Sequence, residues 1–96
     1  MRPSRAEPSS RWIADCARHV YATKRPTLTL VYLPHLDYNL QRLGPRDPAI
    51  AQDLRAVDAL CGELIALARR DETRLVVLSE YGITPVAGAI HVNRSL

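Results

Sequence analysis

Phenylalanine is absent from this chain of 96 residues, and one tryptophan and four tyrosines are all its aromatic residues. Any core must therefore be aliphatic, built from Leu, Val, Ile and Ala. Cysteine is nearly as scarce: Cys16 and Cys61 form no Cys-x-x-Cys pair, which removes the zinc-ribbon and thioredoxin readings. Both lie in helical patterns among apolar neighbours, where a free thiol behaves as a small buried hydrophobe. No apolar run approaches the roughly 20 residues of a membrane-crossing helix, and the N-terminus lacks a signal-peptide pattern. A cytoplasmic location with no membrane partner is the expectation. The net charge of +3 comes from arginines scattered along the whole chain. A nucleic-acid binder would gather them into a stripe with aromatics beside it, so no nucleic-acid partner is expected.

What is present is a globular composition, 47% hydrophobic and 24% charged, in a length that supports one core. Residues 1–9 are rich in Pro, Ser and Arg without periodicity and read as a disordered lead-in, leaving residues 10–96 as the domain. Ser10 is placed to cap a helix carrying Ile13, Cys16, Ala17 and Val20 at helical spacing and ending near Thr23. Residues 27–33, β-branched and apolar between Pro26 and Pro34, read as a strand. Residues 34–46 read as a loop with one helical turn over 38–42. Asp47 and Pro48 then start a helix over residues 48–70, whose apolar stripe is Ile50, Leu54, Val57, Cys61, Leu64, Ile65 and Ala68. Gly62 inside that helix costs up to about 1 kcal/mol against Ala, which implies close packing there. Residues 73–79, with the run Leu75, Val76, Val77 and Leu78, read as a second strand of the kind covered on both faces. Residues 80–88 read as a loop, and 89–96 are too few to assign.

The order helix, strand, helix, strand predicts an α/β fold, with the two strands parallel and joined by a right-handed crossover. Two strands are too few for a parallel sheet. The sequence thus reads as a fragment of a parallel-sheet core that continues in its natural form, packs on another chain or is a truncated frame. In open parallel sheets the ligand crevice lies beyond the carboxyl ends of the strands. Asp37 and Glu80 would leave the same edge there, and converging carboxylates repel unless protonated or bridged by a cation. His35 and Tyr81 add ligands or hydrogen-bond donors. The plainer reading leaves both acids as solvated loop residues and His35 without a site role. Asp58, within the long helix, reads as structural, and His91 and Asn93 reach the edge only if the last segment folds back.

Two motifs give these loops a family resemblance. Asp37, Gln41, Gly44 and Pro45 have the spacing of an Asp-x-x-x-His followed by Gly-Pro, and Ser79, Glu80, Tyr81, Gly82 and Ile83 stand where Ser-Asp-His-Gly and a hydrophobic residue would. Ile90, His91, Val92, Asn93, Arg94, Ser95 and Leu96 resemble a short strand leading into an Asn-initiated helix. In this order, over residues 27–96, they resemble the nucleotide pyrophosphatase/phosphodiesterase branch of the alkaline phosphatase superfamily. The resemblance implies an alkaline-phosphatase-like α/β core and a divalent-metal site, zinc by resemblance, with Asp37 and Gln41 at the first metal and Glu80 and Tyr81 at the second. Gln for His, Glu for Asp and Tyr for His each weaken a zinc site and turn the preference towards manganese, magnesium or calcium. The family's Thr or Ser nucleophile has no counterpart among Thr23, Thr27 and Thr29, so no catalytic residue is assigned. The implied function is part of a metal-dependent phosphoesterase or phosphodiesterase acting on a phosphate-ester small molecule, inactive as the isolated chain. The alternatives are a non-catalytic, degenerate member that binds a phosphorylated ligand or a protein partner, and an unrelated α/β module that self-associates through its incomplete sheet.

Overall fold

The computed structural model describes residues 6–95, and among these the secondary structure is entirely helical. Four helices follow in order: α1 (Ala6–Lys24), α2 (His35–Leu43), α3 (Ala49–Arg70) and the short α4 (Val92–Ser95). The first three pack against one another, with α3 touching both α1 and α2.

α1 begins four residues before the expected cap and takes in residues 6–9 of the expected lead-in; residues 1–5 lie outside the described residues. Pro8 is compatible with this start because the N–H groups of a first turn have no intrahelical acceptor in any case. Ser10 consequently sits inside the helix, where its hydroxyl is buried without a hydrogen-bond partner instead of capping. α2 occupies most of the expected loop. It ends where Gly44 adopts φ 83° and donates its N–H to the Leu40 carbonyl at 3.0 Å, a left-handed stop that glycine accepts without a Cβ clash, followed at once by Pro45. Asp47 starts α3 as its chemistry predicts, its Oδ1 accepting the Ala49 N–H at 2.9 Å.

Of the expected stripe of α3, Ala68 is buried, Ile50, Val57, Cys61, Leu64 and Ile65 are half-buried and Leu54 is exposed, while Asp53 and Leu60 are buried beside it. Gly62 is also exposed, and a Cβ built there meets nothing within 4 Å, so close packing does not explain that glycine. Across the interface α1 contributes the buried Ala14. At the edge of the same interface the Arg11 guanidinium donates to Glu63 Oε2 at 2.5 Å, and Arg18 lies 4.0 Å from the same carboxylate.

The expected α/β fold, a fragment of a parallel-sheet alkaline-phosphatase-like core, is not what forms: no strand is present among the described residues. Residues 27–33 and 73–79 are non-helical and make no ladder. The physical reason is the absence of a backbone partner. A strand gains its stability from inter-strand hydrogen bonds and neighbouring side chains, and a lone pair of strands is marginal in water. The two segments are instead held by side chains. Tyr21, in the last turns of α1, shares a hydrogen bond with Thr73 at the start of the second segment. Beyond its other end Tyr81 bonds Asp37, just past the end of the first. They therefore run in the same direction, as a strand-helix-strand unit would, without pairing.

The result is a thin body with extents of 53 × 38 × 18 Å and a radius of gyration of 16.9 Å. A compact chain of this length would have a radius of about 12.5 Å.

Candidate functional site

The site is built where α2 meets the turn that follows the second extended segment. Asp37 lies in the first turn of α2, and one helical turn later Gln41 donates from Nε2 to Asp37 Oδ2 at 2.8 Å. Residues at i and i+4 share a helix face, which is why Asp-x-x-x-Gln brings the two together. From the other side the Tyr81 hydroxyl donates to Asp37 Oδ1 at 2.9 Å. Its backbone is fixed locally, because Ser79 Oγ donates to the Tyr81 carbonyl at 2.8 Å and tightens the turn between them. Both oxygens of Asp37 are thus engaged by neutral donors.

The electrostatics agree with this assignment of donor and acceptor. The Tyr81 phenol is pushed above its usual range of about 10, chiefly by the hydrogen bond to Asp37, with burial and the nearby charge of Asp37, Tyr32 and Glu80 acting in the same direction. Glu80 stands next to Tyr81 and acts on it through charge. Of the four residues expected at a metal, the structure brings three together, Asp37, Gln41 and Tyr81, and places Glu80 at their margin.

Behind this cluster lies a buried network that sequence reasoning missed. His35, 2% exposed, opens α2, and Asp53, 4% exposed, lies on the inner face of α3. Asn39 Nδ2 donates to Asp53 Oδ2 at 2.6 Å, His35 Nε2 stands 3.4 Å from Asp53 Oδ1, and Arg42 Nη2 donates to Asn39 Oδ1 at 2.9 Å. The network ties α2, and with it Asp37, to α3. One signal was available: Asp53 stands seven residues before Leu60, on the same helical stripe. Asp58 is exposed on α3, and His91 and Asn93 lie at and just inside the start of α4.

The profile of the type I phosphodiesterase / nucleotide pyrophosphatase family matches residues 3–96, and the chain belongs to that family. Over 67 residues, 66% of this chain, it is 34% identical to an uncharacterized pyrophosphatase/phosphodiesterase of Schizosaccharomyces pombe (strain 972 / ATCC 24843). The matched stretch is 14% of that relative, so the chain spans a small part of the curated protein it resembles. No solved structure matches it.

The family is typically metal-dependent, and the cluster around Asp37 can be tested for its fit to a divalent ion. Among the described residues no group of three or more His, Cys, Asp or Glu could hold one. Each oxygen of Asp37 already accepts a hydrogen bond, Gln41 turns its amide nitrogen towards it, and Tyr81 is held as a neutral donor when only its phenolate would be a good ligand. A structural zinc site needs four ligands and a catalytic one three. The residues present do not fit the ion. Among the described residues no helix is long and apolar enough to cross a membrane.

Proposed function

We propose that this chain is part of a phosphodiesterase-type hydrolase of its family, a class acting on phosphate-ester small molecules, and that the isolated polypeptide does not itself hydrolyse them. The observation that supports this reading is the engagement of both Asp37 oxygens by Gln41 and Tyr81. Asp37 is the one position of the four where the residue type matches the family pattern. The other three have exchanged ligand chemistry for donor chemistry or a longer reach. Phosphoryl transfer depends on positioning and on charge neutralisation at the transferring group, and a carboxylate whose two oxygens already accept hydrogen bonds from its own neighbours is a poorer ligand for the ion that would supply both.

The test compares the chain with its Gln41→His/Glu80→Asp/Tyr81→His variant. With bis(p-nitrophenyl) phosphate and added zinc or manganese, the wild-type chain should release p-nitrophenol no faster than the metal in buffer. In competition with a chromophoric chelator the triple variant should bind zinc at least tenfold more tightly than the wild type. Metal-dependent turnover by the wild type that disappears in Asp37→Ala would overturn the proposal.

A further inference from the structure

We propose that residues 73–90 form a strap that swings off the three-helix body as one unit, pivoting just after α3 and fastened by the Tyr81 hydroxyl on Asp37, so that the strap governs whether Asp37 is covered. The strap is a property of the chain's own packing and does not rest on the catalytic reading above.

Burial separates the strap from the body. Among the described residues, those that are buried, Ser10, Ala14, His35, Asp53, Leu60 and Ala68, all belong to α1, α2 and α3. From Arg69 to Arg94 none is buried, and Ile83 alone is half-buried. α4, beyond the strap, packs on none of the other three helices. Backbone bonding stops at the same place. Glu72 donates its N–H to the Arg69 carbonyl at 3.3 Å and Thr73 to that of Ala68 at 2.8 Å, the pair of bonds that closes an α-helix. Beyond them, among the described residues, no backbone group of residues 74–90 joins a backbone partner. Glu72 itself takes φ 54°, a conformation that glycine adopts more easily, so the pivot is a strained end of α3.

What fastens the strap is therefore a side chain. The Tyr21 hydroxyl bonds Thr73 at the pivot itself, and further along Tyr81 donates to Asp37 Oδ1 at 2.9 Å. The Ser79 bond to the Tyr81 carbonyl lies within the strap and holds the turn that presents the hydroxyl. A carboxylate acceptor makes the Tyr81 bond stronger than a neutral one, but Tyr81 is 54% exposed and water competes for both partners. Segments with few buried contacts and exposed bonds open at low free energy, apart from global unfolding. Between Thr73 and Tyr81 the extended chain reaches up to about 28 Å without another tie to the helices, so the strap leaves as a unit once the hydroxyl lets go. Opening returns Asp37 Oδ1 to solvent while Gln41 stays on Oδ2.

Relaxation-dispersion and chemical-shift NMR on the isotope-labelled chain test the device, with far-UV circular dichroism to follow the helices. The expected result is one shared opening equilibrium for residues 74–82 and for the amides around Asp37, absent from α3. Tyr81→Phe deletes an exposed hydroxyl and should raise the open population about fivefold, the weight of one net hydrogen bond, with helicity unchanged. Asp37→Asn, which keeps a neutral acceptor, should raise it less. Residues 74–82 relaxing at unrelated rates, an open population that Tyr81→Phe leaves unaltered, or a strap that opens only when the helices unfold would overturn the proposal.

Discussion

Replacing Asp53 by alanine isolates the interaction that seats α2 on α3. The carboxylate is 4% exposed and receives the Asn39 amide at 2.6 Å, with the His35 imidazole 3.4 Å away. Its removal strands the Asn39 amide and the His35 Nε2 in a site already containing the unpartnered His35 Nδ1. A buried donor left without an acceptor costs about 1–3 kcal/mol. The His35 contact is long for a hydrogen bond and counts at the lower end, so Asp53→Ala should lose about 2–4 kcal/mol. A domain of this size commands about 5–15 kcal/mol in total, and one whose buried apolar residues are Ala14, Leu60 and Ala68 belongs near the bottom of that range. Urea titration followed by far-UV circular dichroism measures the loss at unchanged m-value. Asp53→Asn, which keeps an acceptor for Asn39, should fall about midway. An Asp53→Ala variant within about 0.5 kcal/mol of wild type would show that both donors reach water, and the account of how α2 is held would fail.

Gly62→Ala should stabilise α3 by about 1 kcal/mol, because a Cβ there meets nothing within 4 Å and glycine is the poorer helix former; chemical denaturation measures it. Glu63 should govern part of the acid limb. Its hydrogen bond from Arg11 holds the carboxyl below its usual 4.5, so the folded chain gives up this proton more readily than the unfolded one. That contribution is complete above about pH 4.5 and disappears as pH falls through the lower folded value. Melting temperatures of Glu63→Gln should therefore converge on wild type in acid and fall below it at neutral pH.

The helical half of this structure was readable from the sequence wherever local chemistry decided it. Asp47 before Pro48 set the start of α3, and Arg69 and Arg70 marked its end. Residues 27–33 and 73–79 were expected to be strands from their β-branched and apolar runs and are non-helical without forming any, because a ladder is a property of neighbours and not of a segment. The stripe of α3 was legible except at Leu54, and Asp53 was overlooked because it is buried by virtue of its hydrogen bonds and not of hydrophobicity. At the site, Asp37 was expected to face Glu80, and the contact is made instead by the neighbouring Tyr81, with Gln41 on the other oxygen. What spacing could not reveal was the polarity of the contacts, since the same geometry serves a ligand set or a ring of donors.

α3 holds its two neighbours at different places along its length. Near its start Asp53 engages α2, while further on Glu63 engages α1. At 1.5 Å per residue these anchor points lie about 15 Å apart, beyond the range in which mutational effects ordinarily couple. The helix acts as a beam with two independent joints. Damage at one should leave the other standing, so a chain that has released α2 retains the α1–α3 pair as its last ordered remnant.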